Sequence, residues 1–135
     1  MIIEIHDNRT LDEITKQFSE YYPFLKIVFY DEPHYWQEAS TFKHQLAPDK
    51  SIGEVRKKTA STLMELHPWN KTGSIEQEFR KQFGLNAQIF RKECNIWLQT
   101  IGTDELTLEE QNEKGRLSIQ HLLDSIDTNS LNNHP

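Results

Sequence analysis

Apolar residues recur along the chain in two spacings, which predict a mixture of helices and strands. In residues 11–21 they lie three or four positions apart, on one face of a helix that Pro23 ends. Residues 75–83 repeat this spacing up to Gly84, a residue that favours the left-handed turn at a helix C-terminus. The two segments predict two amphipathic helices of similar length.

Four tetrapeptides have the capping-box pattern. In each, Ser or Thr is followed by Leu or Ile, and Glu or Gln stands three places after the hydroxyl residue, so that side chains bond the orphan N–H groups of the first turn. The four occupy residues 10–13, 51–54, 74–77 and 107–110. They predict four helix starts, the second for a short helix. The fourth helix is predicted to break at Gly115 and to resume to about Ile126.

Short runs rich in aliphatic, β-branched and aromatic residues lie between these starts and predict strands. They occupy residues 2–5, 25–30, 60–67, 87–91 and 96–100, with a weaker candidate within 35–46. The resulting order predicts an α+β fold with a mixed or antiparallel sheet of about five or six strands. Helices are expected mainly on one face of the sheet, which leaves the other face open. The first 67 residues follow the ferredoxin-like order β-α-β-β-α-β.

The order of elements repeats, which predicts a tandem duplication of a β-α-β-β-α unit in residues 1–58 and 60–126. Residues 10–18 lie over residues 74–83 with one residue inserted. The alternative is that two amphipathic helices of equal length look alike because both obey the same helix rules.

The length of 135 residues is that of one typical domain, predicted at residues 1–126, with a polar and flexible C-terminal tail at residues 127–135. Cys94 is the only cysteine, so no disulfide forms within the chain. The sequence contains no signal-peptide pattern and no apolar stretch near the ~20 residues that span a bilayer. These features predict a cytoplasmic protein without membrane contact.

The net charge of −6 argues against generic nucleic-acid binding, but the charge is unevenly distributed. Residues 1–49 hold 4 Lys/Arg and 9 Asp/Glu, residues 50–92 hold 9 and 4, and residues 93–135 hold 2 and 8. The basic middle predicts either a patch for single-stranded nucleic acid or another polyanion, or a segment that the acidic ends neutralise. The residues of such a patch would be Arg56, Lys57, Lys58, Arg80, Lys81, Arg91 and Lys92.

Catalytic motifs are absent from the sequence, so no catalytic residue, metal or cofactor is predicted, and an enzyme is the less favoured interpretation. No glycine-rich phosphate loop, nucleophile elbow or helical pair of histidines occurs. Cys94 lies in a predicted turn beside an acidic residue, a setting that does not activate a thiol. The remaining enzymatic alternative is a small metal-dependent enzyme whose loops would combine His6 and Asp7 with Asp31 and His34.

Aromatic residues on polar stretches indicate a binding surface, because such side chains are enriched at protein interfaces when exposed. The candidate partner-binding residues are His34, Tyr35, Trp36, Trp69 and Trp97. The leading prediction is therefore a non-catalytic binding or adaptor module that contacts an unknown protein or a second copy of itself. The alternative is that the tryptophans pack at the rim of the core.

Alternation along the last predicted strand places Trp97 on one face and Ile96 and Leu98 on the other. If helices cover the face of Ile96 and Leu98, Trp97 lies on the open face of the sheet.

One part of the chain resembles known sequences. Residues 83–92, with the pattern FGLNAQIFRK, are followed by IWLQT at 96–100 and TLEEQN at 107–112. Together these segments, roughly the last third of the chain, resemble small bacterial proteins that are uncharacterised. The resemblance implies no activity.

Overall fold

The computed structural model describes residues 1–32, 44–57, 63–100 and 102–132, with side chains as far as Asp127. These residues form five strands and four helices. In chain order they are β1 (Ile2–Glu4), α1 (Leu11–Tyr21), β2 (Leu25–Tyr30), α2 (Ile52–Val55), β3 (Leu63–Glu65), α3 (Thr72–Phe83), β4 (Asn86–Glu93), β5 (Ile96–Gln99) and α4 (Leu108–Asn132).

The strands pair in antiparallel fashion, and the α+β class that the sequence predicts is confirmed. β1 pairs with β3 in a two-stranded sheet, while β4 lies between β2 and β5 in a three-stranded sheet. The five strands are thus divided between two sheets. A single cluster of buried apolar side chains joins both sheets to α1 and α3, and it includes Ile3, Phe18, Ile27, Phe79 and Ile89.

Three of the four predicted capping boxes are present. Thr10 and Glu13 bond each other's backbone N–H groups at the start of α1, and Ser51 and Glu54 do the same at α2. At α4 the Glu110 N–H donates to the Thr107 hydroxyl at 3.1 Å, and the Glu110 carboxylate accepts from the Thr107 N–H at 3.1 Å.

The predicted helix start at Ser74 is wrong. α3 begins at Thr72, with Lys71 as the residue before its first turn, so Ser74 lies inside the helix. The start is fixed instead by backbone bonds, since the Thr72 N–H donates to the Leu106 carbonyl at 3.0 Å and the Gly73 N–H donates to the Asp104 carbonyl at 3.0 Å. These bonds satisfy the orphan donors that a capping box would otherwise serve.

The predicted break at Gly115 is also wrong, because α4 continues through it and on to Asn132. A Cβ atom at Gly115 would lie 2.7 Å from the Phe24 Cβ and 3.2 Å from the Lys92 carbonyl oxygen. Gly115 therefore lets the helix approach β2 and β4 closely, which is a packing role and not that of a helix breaker.

The outer edge of β2 is covered by α1. The Thr15 hydroxyl donates to the Ile27 carbonyl at 2.7 Å, and the Ser19 hydroxyl donates to the Leu25 carbonyl at 2.9 Å. The helix thus satisfies acceptors that an edge strand would otherwise present to solvent or to another chain.

The backbone bonds that join the helix starts occur once in each half of the chain. In the first half the Leu11 N–H donates to the Lys50 carbonyl at 2.9 Å, and the Ile52 N–H donates to the Arg9 carbonyl at 2.8 Å. The counterparts in the second half run from Thr72 to Leu106 at 3.0 Å and from Leu108 to Asn70 at 2.9 Å. Likewise the bond from Leu46 N–H to Phe29 has its counterpart in that from Thr100 N–H to Ile89.

Both sheets join the two halves, and in each of them one residue pairs with its own counterpart in the other half. In the small sheet these counterparts are Ile3 and Met64, and in the large sheet they are Val28 and Gln88, which adjoin the counterparts Phe29 and Ile89. On the two sides of these pairs, equivalent residues change places. In the small sheet Ile2 pairs with Glu65, and Glu4 pairs with Leu63. In the large sheet Ile27 pairs with Ile89, and Phe29 pairs with Ala87. Such registers are what a twofold relation between the halves produces.

Candidate interaction surface

β5 is an edge strand with an apolar, uncharged sequence. Among the described residues it pairs with β4 alone. The side chains of Ile96 and Leu98 are 59% and 41% exposed, although both are large and apolar. No lysine, proline or other device that commonly blocks an edge strand occurs between Ile96 and Gln99.

Ile96 and Leu98 project from the face of the sheet on which α4 lies. Leu98 is directly opposite Arg91 on β4, and the Arg91 guanidinium donates to the Gln111 side chain of α4 at 2.6 Å. The helix packs over β4 and β2, so it leaves the neighbouring face of β5 uncovered. Helix α4 therefore covers this face at β4 and leaves Ile96 and Leu98 of β5 exposed.

A third exposed apolar side chain, Leu117, extends this face. Asn112 of α4 accepts from the Phe24 N–H at 3.0 Å, which places Asn112 on the β2 flank of the helix. Leu117 is 45% exposed and lies on the opposite flank by helical periodicity, toward β5. Ile96, Leu98 and Leu117 together are called the β5 apolar surface below.

Trp97 lies on the other face of the sheet, beneath two lysine side chains. The Nζ atoms of Lys26 and Lys92 are 5.1 Å and 4.9 Å from the centre of its ring, and Lys26 is also 5.2 Å from the ring of Phe90. Burial and the neighbouring charge of Lys92 lower the pKa of Lys26. Trp97 is therefore half-buried under cations, an arrangement that stabilises both through cation–π attraction.

The structure does not bring Trp69 and Trp97 together. Trp69 is largely exposed after β3 and stacks on His67 with ring centres 4.4 Å apart. The neighbouring Pro68 carbonyl accepts from the Glu109 N–H at the start of α4, whereas the hairpin near Trp97 meets Ser118. Nine helical residues separate these contacts by about 14 Å. The other candidates, His34, Tyr35 and Trp36, lie outside the described residues.

The basic residues of the middle segment lie on several elements of the fold. Arg56 pairs with Asp7 at 2.9 Å, and Arg91 lies on the α4 side of the sheet, 3.4 Å from Glu93. Lys58 lies outside the described residues. The remaining members lie on three parts of the chain: Lys57 follows α2, Arg80 and Lys81 are on α3, and Lys92 is on β4. Within the described ranges, Lys92 stands beside a second amine over the Trp97 ring, and its companion Lys26 is not in the predicted set.

The loops proposed as a metal site make other contacts. His6 lies 3.9 Å from Glu4, and Asp7 pairs with Arg56. Asp31 pairs with His44 at 2.9 Å, an imidazole that the sequence does not single out. In the part of the chain that the structure describes, no cluster of three His, Cys, Asp or Glu side chains is arranged to hold a metal ion.

A buried carboxyl group that sequence reasoning missed lies between α3 and β4. Glu76 is almost fully buried, and its carboxylate accepts from the Ile89 N–H at 2.7 Å. Burial raises the pKa of Glu76 to about 8; the Ile89 hydrogen bond opposes the shift, and the charge of the buried Asp104 adds to it. The capping-box prediction assigned this residue to a helix start, so its burial was not apparent.

Comparison of the chain with known protein families, with curated proteins and with solved structures found no match. None of the helices in the described ranges combines the length and apolar character needed to cross a bilayer.

Proposed function

We propose that the protein is a non-catalytic binding module that engages another protein chain through the β5 apolar surface. The observation that supports this most directly is the exposure of Ile96 and Leu98 on an uncharged edge strand. An edge strand offers backbone donors and acceptors to an incoming strand, and exposed side chains of alternate residues add contact area and specificity. The proposed compartment is the cytoplasm, where the single thiol of Cys94 stays reduced.

Adjacency distinguishes this surface from ordinary exposed side chains. Single exposed apolar residues are normal on a protein surface, whereas contiguous ones mark interaction sites. Ile96 and Leu98 are neighbours on one face of β5, and helical periodicity places the exposed Leu117 on the flank of α4 toward them. By contrast, the edge of β2 is covered by hydroxyl groups of α1.

Capture with two matched variants tests the proposal. Ile96 is 59% exposed opposite Glu93, and Ile2 is 54% exposed opposite Glu65 on the other sheet, so lysine at either position gains a cross-strand carboxylate. Wild type, Ile96→Lys and Ile2→Lys would be immobilised and exposed to extract of the source cells. We expect a protein that wild type and Ile2→Lys retain and Ile96→Lys loses, and the purified pair should show the same order in calorimetry. Equal retention by all three would contradict the proposal.

A polyanion is the second candidate partner, and one observation favours it. Lys26 and Lys92 bring two amines to one indole ring on the face opposite the β5 apolar surface. Within the described ranges neither amine has a carboxylate at ion-pair distance. Single-stranded nucleic acid is bound where amines that contact phosphate lie close to an aromatic side chain that can stack on a base.

We also infer that the chain arose by tandem duplication. The inference is supported by the matching backbone bonds of the helix starts and by the symmetric registers about Ile3–Met64 and Val28–Gln88. Met64→Ile would make the central pair of the small sheet two isoleucines. We expect this exchange to cost less than about 1.5 kcal/mol, since volume is nearly conserved. Loss of folding would weigh against equivalence of the two positions.

A further inference from the structure

We infer that the chain which pairs with the β5 apolar surface is a second copy of this protein, antiparallel along β5 with Trp97 opposite Trp97. The inference rests on the proposed function and names its partner. It follows from the backbone directions of β5, from its side-chain order and from the charges on the adjacent flank of α4.

The backbone of Trp97 points away from β4. β4 and β5 are joined by the two-residue turn of Cys94 and Asn95, so the pair that flanks this turn is hydrogen-bonded. Bonding then alternates along β5, as the bond from Thr100 N–H to the Ile89 carbonyl at 3.1 Å shows. Trp97 therefore directs its N–H and C=O to the edge on which no described strand pairs with β5, where a second Trp97 can exchange both bonds.

An antiparallel pairing of two β5 strands that is centred on Trp97 places complementary side chains opposite each other. Ile96 of one copy then lies opposite Leu98 of the other, and the reverse pair follows by symmetry. These are the closely spaced pairs of an antiparallel ladder, in which side chains make the most contact. The four residues of β5 carry no charge, so two copies of an acidic chain meet along this seam without like-charge contacts.

The flank of α4 beside Leu117 carries a carboxylate and an imidazole that face each other only when the copies are antiparallel. Helical periodicity places Glu110, Lys114 and His121 on this flank. Two such helices would be separated by three strand spacings, about 14 Å between axes, which side chains can bridge. Gly115 and Ser118 lie level with Lys92, which is opposite Trp97. A twofold axis at Trp97 consequently sets Glu110 of one copy near His121 of the other, whereas parallel helices would align like groups.

Sedimentation equilibrium of the full chain tests the partner. We expect the mass to rise from 16.0 kDa toward twice that value as the concentration approaches about 1 mM. Ile96→Lys should remain at 16.0 kDa over the same range, because it places two lysines at the seam, and Ile2→Lys should behave as wild type. A mass of 16.0 kDa for wild type at every concentration would overturn the inference. A dimer that Ile96→Lys leaves intact would do so as well.

The geometry has its own test in the native cysteine. Cys94 is exposed and is three residues from Trp97, so spin labels on it should be about 20 Å apart in the antiparallel dimer. Double electron–electron resonance should show this single distance between the labels. Parallel pairing of the two strands would instead bring the labels to roughly 5 Å. A distance of that size, or several distances, would overturn the register. If the protein is monomeric but still captures a partner through Ile96, only the inference that the partner is a second copy is rejected. If neither a dimer nor Ile96-dependent capture is found, the proposed function is rejected as well.

Discussion

Glu76 on α3 accepts a hydrogen bond from the Ile89 N–H of β4 at 2.7 Å, in a site that excludes water. Burial raises the pKa of Glu76 from 4.5 to about 8 in the folded chain. The folded state therefore binds a proton between these values that the unfolded state has released. Stability from the protonated form is fully present below about pH 4.5 and is lost as the pH rises through about 8. Each pKa unit corresponds to about 1.36 kcal/mol, so the loss is on the order of a few kcal/mol.

Chemical denaturation at a series of pH values measures this loss, and Glu76→Gln provides the control. Glutamine keeps the shape and the acceptor for the Ile89 N–H but cannot ionise. We expect the fall in unfolding free energy between pH 5 and about 8 to be largely absent in Glu76→Gln. A variant with the same slope as wild type would assign the pH dependence to other groups.

Removal of a capping hydroxyl should destabilise the protein only where the hydroxyl caps a helix. The Thr10 hydroxyl accepts from the Glu13 N–H at 3.2 Å, and its loss in Thr10→Ala should cost about 1 kcal/mol. Ser74 fits the same sequence pattern but lies exposed inside α3, so Ser74→Ala should stay within about 0.5 kcal/mol of wild type. Urea denaturation of both variants gives the comparison. Equal costs would mean that Ser74 does cap the helix.

Alanine at Gly115 should destabilise the protein even though alanine is the better helix former by about 1 kcal/mol. Its Cβ would lie 2.7 Å from that of Phe24 and 3.2 Å from two carbonyl oxygens, and relief of such overlap costs about 1–3 kcal/mol. Ser125→Ala, at an exposed position of the same helix, should be neutral or slightly stabilising. Thermal unfolding can rank the two, and a Gly115→Ala protein as stable as Ser125→Ala would show that α4 shifts freely.

We expect affinity for a single-stranded oligonucleotide to depend on Lys26 and Lys92. Replacement of both by glutamine should abolish binding at about 0.05 M salt, because these amines converge on Trp97. Arg56→Gln should retain it, since Arg56 is paired with Asp7. Fluorescence polarisation of a labelled oligonucleotide measures both effects. Equal losses of binding in the double variant and in Arg56→Gln would indicate that the basic middle segment acts as one patch.

Elements governed by local rules could be predicted from the sequence. The bounds of α1 follow from the box at Thr10 and from Pro23, and the observed helix agrees with them. Ser74 and Gly115 were misread because the decisive interactions are distant in sequence: the start of α3 depends on Leu106, and Gly115 on Phe24. A local pattern carries no information about such partners.

The surface was only partly predictable for the same reason. Strand alternation correctly separates Trp97 from Ile96 and Leu98. It cannot tell that α4 stops short of β5, nor that Lys26, 71 residues earlier, approaches the Trp97 ring. Exposure and convergence of this kind arise from the packing of whole elements.

The shared sheets have a consequence for synthesis of the chain. Ile3 pairs with Met64 and Val28 with Gln88, so each sheet takes strands from residues roughly 60 positions apart. At about 5–20 residues per second, a ribosome needs roughly 3–12 s to deliver the second strand after the first. During that interval the nascent first half lacks the strands that pair with Ile3 and Ile27. A chaperone that binds apolar segments would therefore meet this protein early, before the second half emerges.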